Sequence, residues 1–198
     1  MGDPWVIEGL ARIASPALLL QPCVVEQNVE RMIDLCGGAR RLRPHVKTHK
    51  MDEVVRMQIS AGIDKFKAST IAEVEMCLTA GARDVLLAYS PVGPSPDRLI
   101  RLAEAYPDAR LSFLADDEAA LLAISQRLVK TKVPLGVFVD FDCGMGRTGT
   151  SSVEAVVGIT KLICSSAGLS FEGVHAYDGH VREPNPAARE EMWSQAMT

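Results

Sequence analysis

An α/β fold with parallel strands is predicted by three observations. Short apolar runs alternate with amphipathic stretches along the whole chain. The connections between them are short, and no Ser/Gly/Pro-rich linker divides the sequence. A strand followed by a helix, repeated, requires right-handed crossovers between side-by-side strands.

The elements follow in order. The spacing predicts a helix over 22–35, closed by Gly37 and Gly38, then a strand over 42–48 despite Pro44. A helix over 52–61 ends at Gly62, and a strand covers 65–69. Thr70 opens the next helix with Glu73 three residues on, a capping box in which each side chain satisfies the other's backbone donor, and Gly81 stops it. A strand over 85–90 leads to a helix over 96–105, with Pro96 near the first turn where its missing N–H is harmless. A strand over 110–114, a helix over 116–128 and the most apolar strand, LGVFVD over 135–140, come next. Ser151 and Glu154 form a second capping box for a helix to about 165, followed by a strand over 169–176 and a helix from 186 to the end. These make about six βα units. A closed barrel needs eight. A doubly wound open sheet is content with about six but usually places a Gly-rich phosphate turn after its first strand, and HVKTHK is no such turn.

Composition narrows the function classes. The 198 residues carry 21 Lys and Arg against 25 Asp and Glu, a net charge of −4, with 47% hydrophobic residues. That excludes intrinsic disorder and speaks against a nucleic-acid-binding protein. No apolar run approaches the roughly 20 residues needed to cross a bilayer. Residues 1–14 carry Asp3, Glu8 and Arg12 without a long apolar stretch, so no secretory signal is expected. Five scattered cysteines without a CxxC pair point to reduced, mostly buried thiols in a cytoplasmic protein.

Three segments concentrate chemistry. In RPHVKTHK, period-two alternation on a strand puts His45, Lys47 and His49 on one face. Partial desolvation and nearby cations would favour a neutral Lys47 amine, the form that condenses with an aldehyde. The plainer alternative is an exposed basic loop. In VDFDCGMGRTG, glycines after the strongest strand allow close approach to a ligand, and Arg147 offers a fixed guanidinium for an anionic or phenolic oxygen. The alternative is a tight turn with a surface arginine. In VHAYDGH, Tyr177 can stack on a planar ring, and Asp178 and His180 have the chemistry for acid–base work or metal binding. The alternatives are a core histidine at His175 and a solvated one at His180. No Ser-His-Asp order, HExxH or P-loop is present. The acidic groups at 116–118 and 190–191 fall in first turns of helices, as dipole-complementing surface charge.

Together these segments resemble one family. LRPHVKTHK is similar to the lysine motif of D-threonine aldolases and D-serine dehydratases. FKASTIAEVEMCLTAGARDVLLAYSPVG, VDFDCGMGRTG, VHAYDGH and the entry segment SPALLLQPCVVEQNVERM match in order, from about Ser15 to about Arg189. The resemblance implies a fold-type III pyridoxal 5′-phosphate enzyme with a (β/α) TIM-type barrel of the alanine racemase N-terminal type. The barrel is incomplete here, at about six of eight units. It implies Lys47 as the Schiff-base lysine, Arg147 near the cofactor's phenolic oxygen, Tyr177 against the pyridine ring, and His45 and Thr48 as supporting groups. His180 joins Lys47 and His45 as a candidate catalytic residue.

Family members are much longer, so the chain is expected to be the N-terminal part of one. The last strands, a Gly-rich phosphate loop, a β-domain and the ligands of a divalent metal (Mn, Mg or Zn) would then lie beyond Thr198, with no metal ligand in this part. The implied activity is cleavage of D-threonine-like β-hydroxy-D-amino acids to glycine and an aldehyde. The alternatives are D-serine dehydration to pyruvate and ammonia, and a cofactor-binding fragment or carrier without catalysis. The implied partner is a small D-amino acid substrate, with no nucleic acid or membrane, and a homodimer is possible by the same resemblance.

Overall fold

The computed structural model describes residues 8–131 and 133–196. The segment over which no secretory signal is expected is therefore described from residue 8 onward, and residues 197–198 of the last predicted helix lie outside the described residues.

Five strands form one parallel sheet: β1 (Lys65–Ala68), β2 (Asp84–Leu87), β3 (Arg110–Ala115), β4 (Leu135–Phe141) and β5 (Leu169–Ala176). Their spatial order is their chain order, as in a barrel wall. Among the described residues seven α-helices accompany them: α1 (Pro22–Cys36), α2 (Asp52–Ser60), α3 (Ile71–Thr79), α4 (Ser95–Ala105), α5 (Glu118–Leu128), α6 (Val153–Ser165) and α7 (Pro186–Ala196). None is long and apolar enough to cross a membrane.

The core lies between the outer face of the sheet and the helices. Phe66, Val85, Leu87, Phe113, Leu135, Val137 and Val139 point outward and are fully buried, against Val55, Val74, Leu99, Leu121 and Ile163 from the helices. The inner face mixes apolar side chains, Leu86, Leu114 and Phe138, with charged ones. Arg43 reaches in to Asp84 at 2.6 Å, Arg110 pairs with Glu172, and Lys67, Ser112 and Asp140 share that side. A face carrying this much charge is built to surround something other than an apolar core.

The predicted strand over 42–48 is not one. Residues Val46–Thr48 make a 3-10 turn, and the segment's backbone pairs with the sheet through a bridge, His45 with Lys67, and a bond, Lys67 N–H to Pro44 C=O at 2.9 Å. Pro44 cannot donate to a ladder, and the amides of His49 and Lys50 turn back to Val46 C=O. The sheet therefore has five strands where the periodicity suggests six, and His45, Lys47 and His49 do not share a strand face.

Both capping boxes shift by one residue. Thr70 Oγ1 accepts the Glu73 N–H, but Glu73 Oε2 takes the Ser69 N–H at 2.7 Å instead of the Thr70 one. Helix α6 is capped by Ser152, whose Oγ accepts the Ala155 N–H, and not by Ser151. The acidic run divides: Asp117 caps α5 through the Ala120 N–H, while Asp116 accepts the Gly149 N–H. The five cysteines are free, but Cys23 and Cys164 are exposed, so fewer are buried than expected. Both sit on solvent-facing positions of outer helices.

A bulge in β5 decides what faces inward. Val137 pairs with Phe171, but Phe138 pairs with Gly173, so Glu172 is an extra residue on the β5 side. Beyond it, Asp140 pairs with His175 rather than with Val174. Because side chains alternate with period two, this one insertion turns His175 to the same inner face as Asp140.

Candidate active site

The carboxyl ends of the strands and the loops after them surround a cavity of about 260 Å³. His45, Lys47, Lys67, Arg147, His175 and Tyr177 line it. They come from the 3-10 turn, from β1, from the loop after β4, and from β5 and its exit. The carboxyl end of parallel strands is where such folds assemble sites, because loops from several strands converge there.

Each side chain is placed by a local device. Lys47 is exposed on its turn, and its backbone N–H donates to His45 Nδ1 at 3.3 Å. His45 Nε2 lies 3.2 Å from Ser69 Oγ, so the ring is the tautomer that donates there. Burial pushes the His45 imidazole down to about 4, and the Lys47 and Lys67 charges push the same way.

The arginine loop is tied by carboxylates. Asp142 Oδ1 accepts the Gly144 and Gly146 amides at 3.0 Å each, and these bonds hold its carboxyl below the usual range. Gly149 has φ +93°, and a Cβ there would come within 2.8 Å of Asp142 N. Arg147 is thereby presented to Tyr177, its guanidinium carbon 4.9 Å from the ring centroid.

Behind them runs a hydrogen-bonded row. Asp140 Oδ1 lies 2.7 Å from His175 Nδ1, and His175 Nε2 lies 2.8 Å from Lys67 Nζ. Lys67 Nζ is also 5.8 Å from the Tyr177 ring centroid. Burial first, then the Lys47, Arg147 and Arg43 charges, lower the Lys67 pKa, while Asp140 opposes them.

Lys47, His45, Arg147 and Tyr177, grouped from sequence, meet at this cavity. Thr48 and His180 are not among its lining residues. Thr48 ends the turn that carries Lys47. His180 packs on the arginine loop, where a Cβ added at Gly144 would sit 3.1 Å from its Nε2. Desolvation, expected at Lys47, acts on Lys67 instead, because Lys47 is exposed. Sequence reasoning missed Lys67 and the role of Asp140. A signal existed for the first: in KFKA, Lys67 alternates with Phe66 and Ala68, a cation on the inner face of a strand whose outer face is wholly apolar. Among the described residues, no three His, Cys, Asp or Glu side chains group as a metal site.

A pH dependence follows from His45. The folded chain resists a proton that the unfolded chain accepts at an ordinary 6.5. This contribution to stability is present above about 6.5 and is lost as pH falls toward about 4. His49, lowered chiefly by burial, adds in the same sense. The urea midpoint is expected to drop across this interval and to drop less steeply in His45→Gln; an identical slope in the variant would count against it.

An ordered run of parallel strands, with a cavity at their carboxyl ends on which an amine, a guanidinium and a phenol converge, defines a barrel-type α/β protein. The alanine racemase N-terminal domain model matches residues 23–197, and the chain belongs to that family. It is 33% identical to a 3-hydroxy-D-aspartate aldolase of Paracoccus denitrificans over 85% of this chain and 44% of that protein. It is 30% identical to a D-threonine aldolase of an Arthrobacter species, over 91% of this chain and 46% of the relative. A D-threo-3-hydroxyaspartate dehydratase of a Delftia species is 30% identical over 72% of this chain and 37% of its own. The crystal structure of D-threonine aldolase from Filomicrobium marinum superposes with TM-score 0.83 at 27% identity, over 94% of this chain and 51% of that one. The chain thus spans about half the length of the relatives it matches.

Proposed function

We propose that this chain is the cofactor-binding part of a pyridoxal 5′-phosphate-dependent aldolase that cleaves D-threonine-like β-hydroxy-D-amino acids to glycine and an aldehyde. The observation that carries the reading is the convergence of Lys47, Arg147 and Tyr177 on one cavity. The donor set suits the cofactor: an exposed amine for its aldehyde, a guanidinium for its phenolic oxygen, and an aromatic ring for its pyridine face. When bound, the cofactor supplies a sink for the electrons of a bond broken at the substrate's α-carbon.

The chain's own residues do the rest. Lys47 would be the amine that holds the cofactor's aldehyde. Its neighbour His45, kept neutral, adds no positive charge beside that amine. Arg147, held by its contact with Tyr177, would hold the phenolic oxygen. Thr48 and His180 support from outside, one at the end of the lysine's turn and the other against the arginine loop.

Similarity to the Delftia dehydratase supports a second reading, loss of the β-hydroxyl instead of the carbon–carbon bond. Product analysis separates them. The full chain, supplied with pyridoxal phosphate, is expected to release glycine from D-threonine. Pyruvate and ammonia from D-serine would select the dehydratase. Cofactor capture at Lys47 without either product would select a carrier, and no capture at Lys47 would end all three readings.

A further inference from the structure

We propose that Asp140, His175 and Lys67 form a proton relay that opens into the cavity at Lys67 Nζ, making Lys67 the acid–base group of the site, distinct from the aldehyde-holding amine of Lys47. The reacting molecule is the one assigned under the proposed function, and the inference rests on that reading for it.

The geometry sets the direction of each bond. Asp140 is 4% exposed and, as a carboxylate, can only accept, so His175 Nδ1 carries the proton between them. Nε2 of the neutral ring is then an acceptor, and Lys67 Nζ, 2.8 Å away, donates to it. The amine's other positions face the cavity, which Lys67 lines. As a neutral amine it presents a lone pair there. On taking a proton it becomes an ammonium already bonded to His175, with Asp140 behind as counter-charge.

The charged and titratable groups around it act in opposite senses. Arg43, His45 and Lys47 come from the segment before β1, and Arg147 from the loop after β4. Asp140 stands on β4, His175 and Tyr177 belong to β5 and its exit, and Tyr89 follows β2. Burial and then the cations favour release of the proton, and the Asp140 carboxylate opposes them. A poised amine is what proton transfer in both directions requires. In the aldol cleavage, the hydroxyl O–H bond breaks and an N–H bond forms at Lys67. The oxygen's electron pair closes the aldehyde carbonyl as the Cα–Cβ bond opens. The same proton then returns to Cα of the departing glycine, so the relay ends as it began.

The test is a titration of the full chain labelled with 13C-lysine, followed by NMR, with Lys67→Gln to assign the signal. Lys67 is expected to titrate below the ordinary lysine range, Asp140→Asn to lower its midpoint further, and Lys47→Ala to raise it. A Lys67 midpoint in the ordinary lysine range, or one indifferent to Asp140→Asn in a chain with native circular dichroism, overturns the relay. In the presence of pyridoxal phosphate, exchange of glycine's α-proton with D2O is expected to fall at least about 100-fold in Lys67→Gln while borohydride still traps the cofactor on Lys47. Undiminished exchange overturns the acid–base role. If the wild-type chain traps no cofactor at Lys47, the proposed function fails, and the titration still decides the relay.

Discussion

Lys47→Ala is expected to abolish covalent capture of pyridoxal phosphate, with borohydride-trapped cofactor falling to background in the Lys47 peptide by mass spectrometry. Any turnover of D-threonine should fall at least roughly 10³-fold, as when other covalent nucleophiles are removed. Lys47 is exposed on a 3-10 turn, so its loss removes no buried contact and the variant should unfold at the wild-type denaturant concentration. Lys47→Arg sharpens the result. It keeps the positive charge but cannot condense with an aldehyde, so it should fail like alanine. Capture that survives both substitutions would show that another amine, Lys67 foremost, holds the aldehyde.

Phe113→Ala is expected to destabilise the chain by about 3–5 kcal/mol, since an aromatic core side chain leaves a cavity that the surroundings fill poorly. Phe113 is fully buried at the middle of β3, paired in register with Leu87 and Val137. A loss of that size is a large share of the 5–15 kcal/mol typical of a domain. Phe171→Ala, on β5 at 41% exposure, should cost much less. Urea unfolding followed by circular dichroism checks both. Equal midpoints for the two variants would mean that the core does not lie between the sheet and the helices.

Much of the architecture was legible because burial leaves a periodic trace. LGVFVD reads as a buried strand, and Leu135–Phe141 is one; the strand predicted over 169–176 matches β5 end to end. Helix bounds agree to within two residues because proline, glycine and capping side chains act locally. The segment around Lys47 misled for a matching reason. Its alternation of residue types imitates a strand, but Pro44 and the amides turning back to Val46 choose a turn. The capping boxes slipped by one residue because several neighbouring hydroxyls and amides compete for one carboxylate or one helix start.

By itself the sequence determined the order of β1 to β5 and of the helices between them, and the apolar side of β1 to β4, through periods of two and 3.6 residues. The grouping of Lys47, Arg147 and Tyr177 came from motifs that resemble one family, not from the strand predicted over 42–48. Only the tertiary structure decided that Lys67 joins them and that His175 stands between it and Asp140. Alternation says which side chains of a strand share a face. Which face looks inward depends on pairing with the neighbouring strand, and here one extra residue, Glu172, sets it.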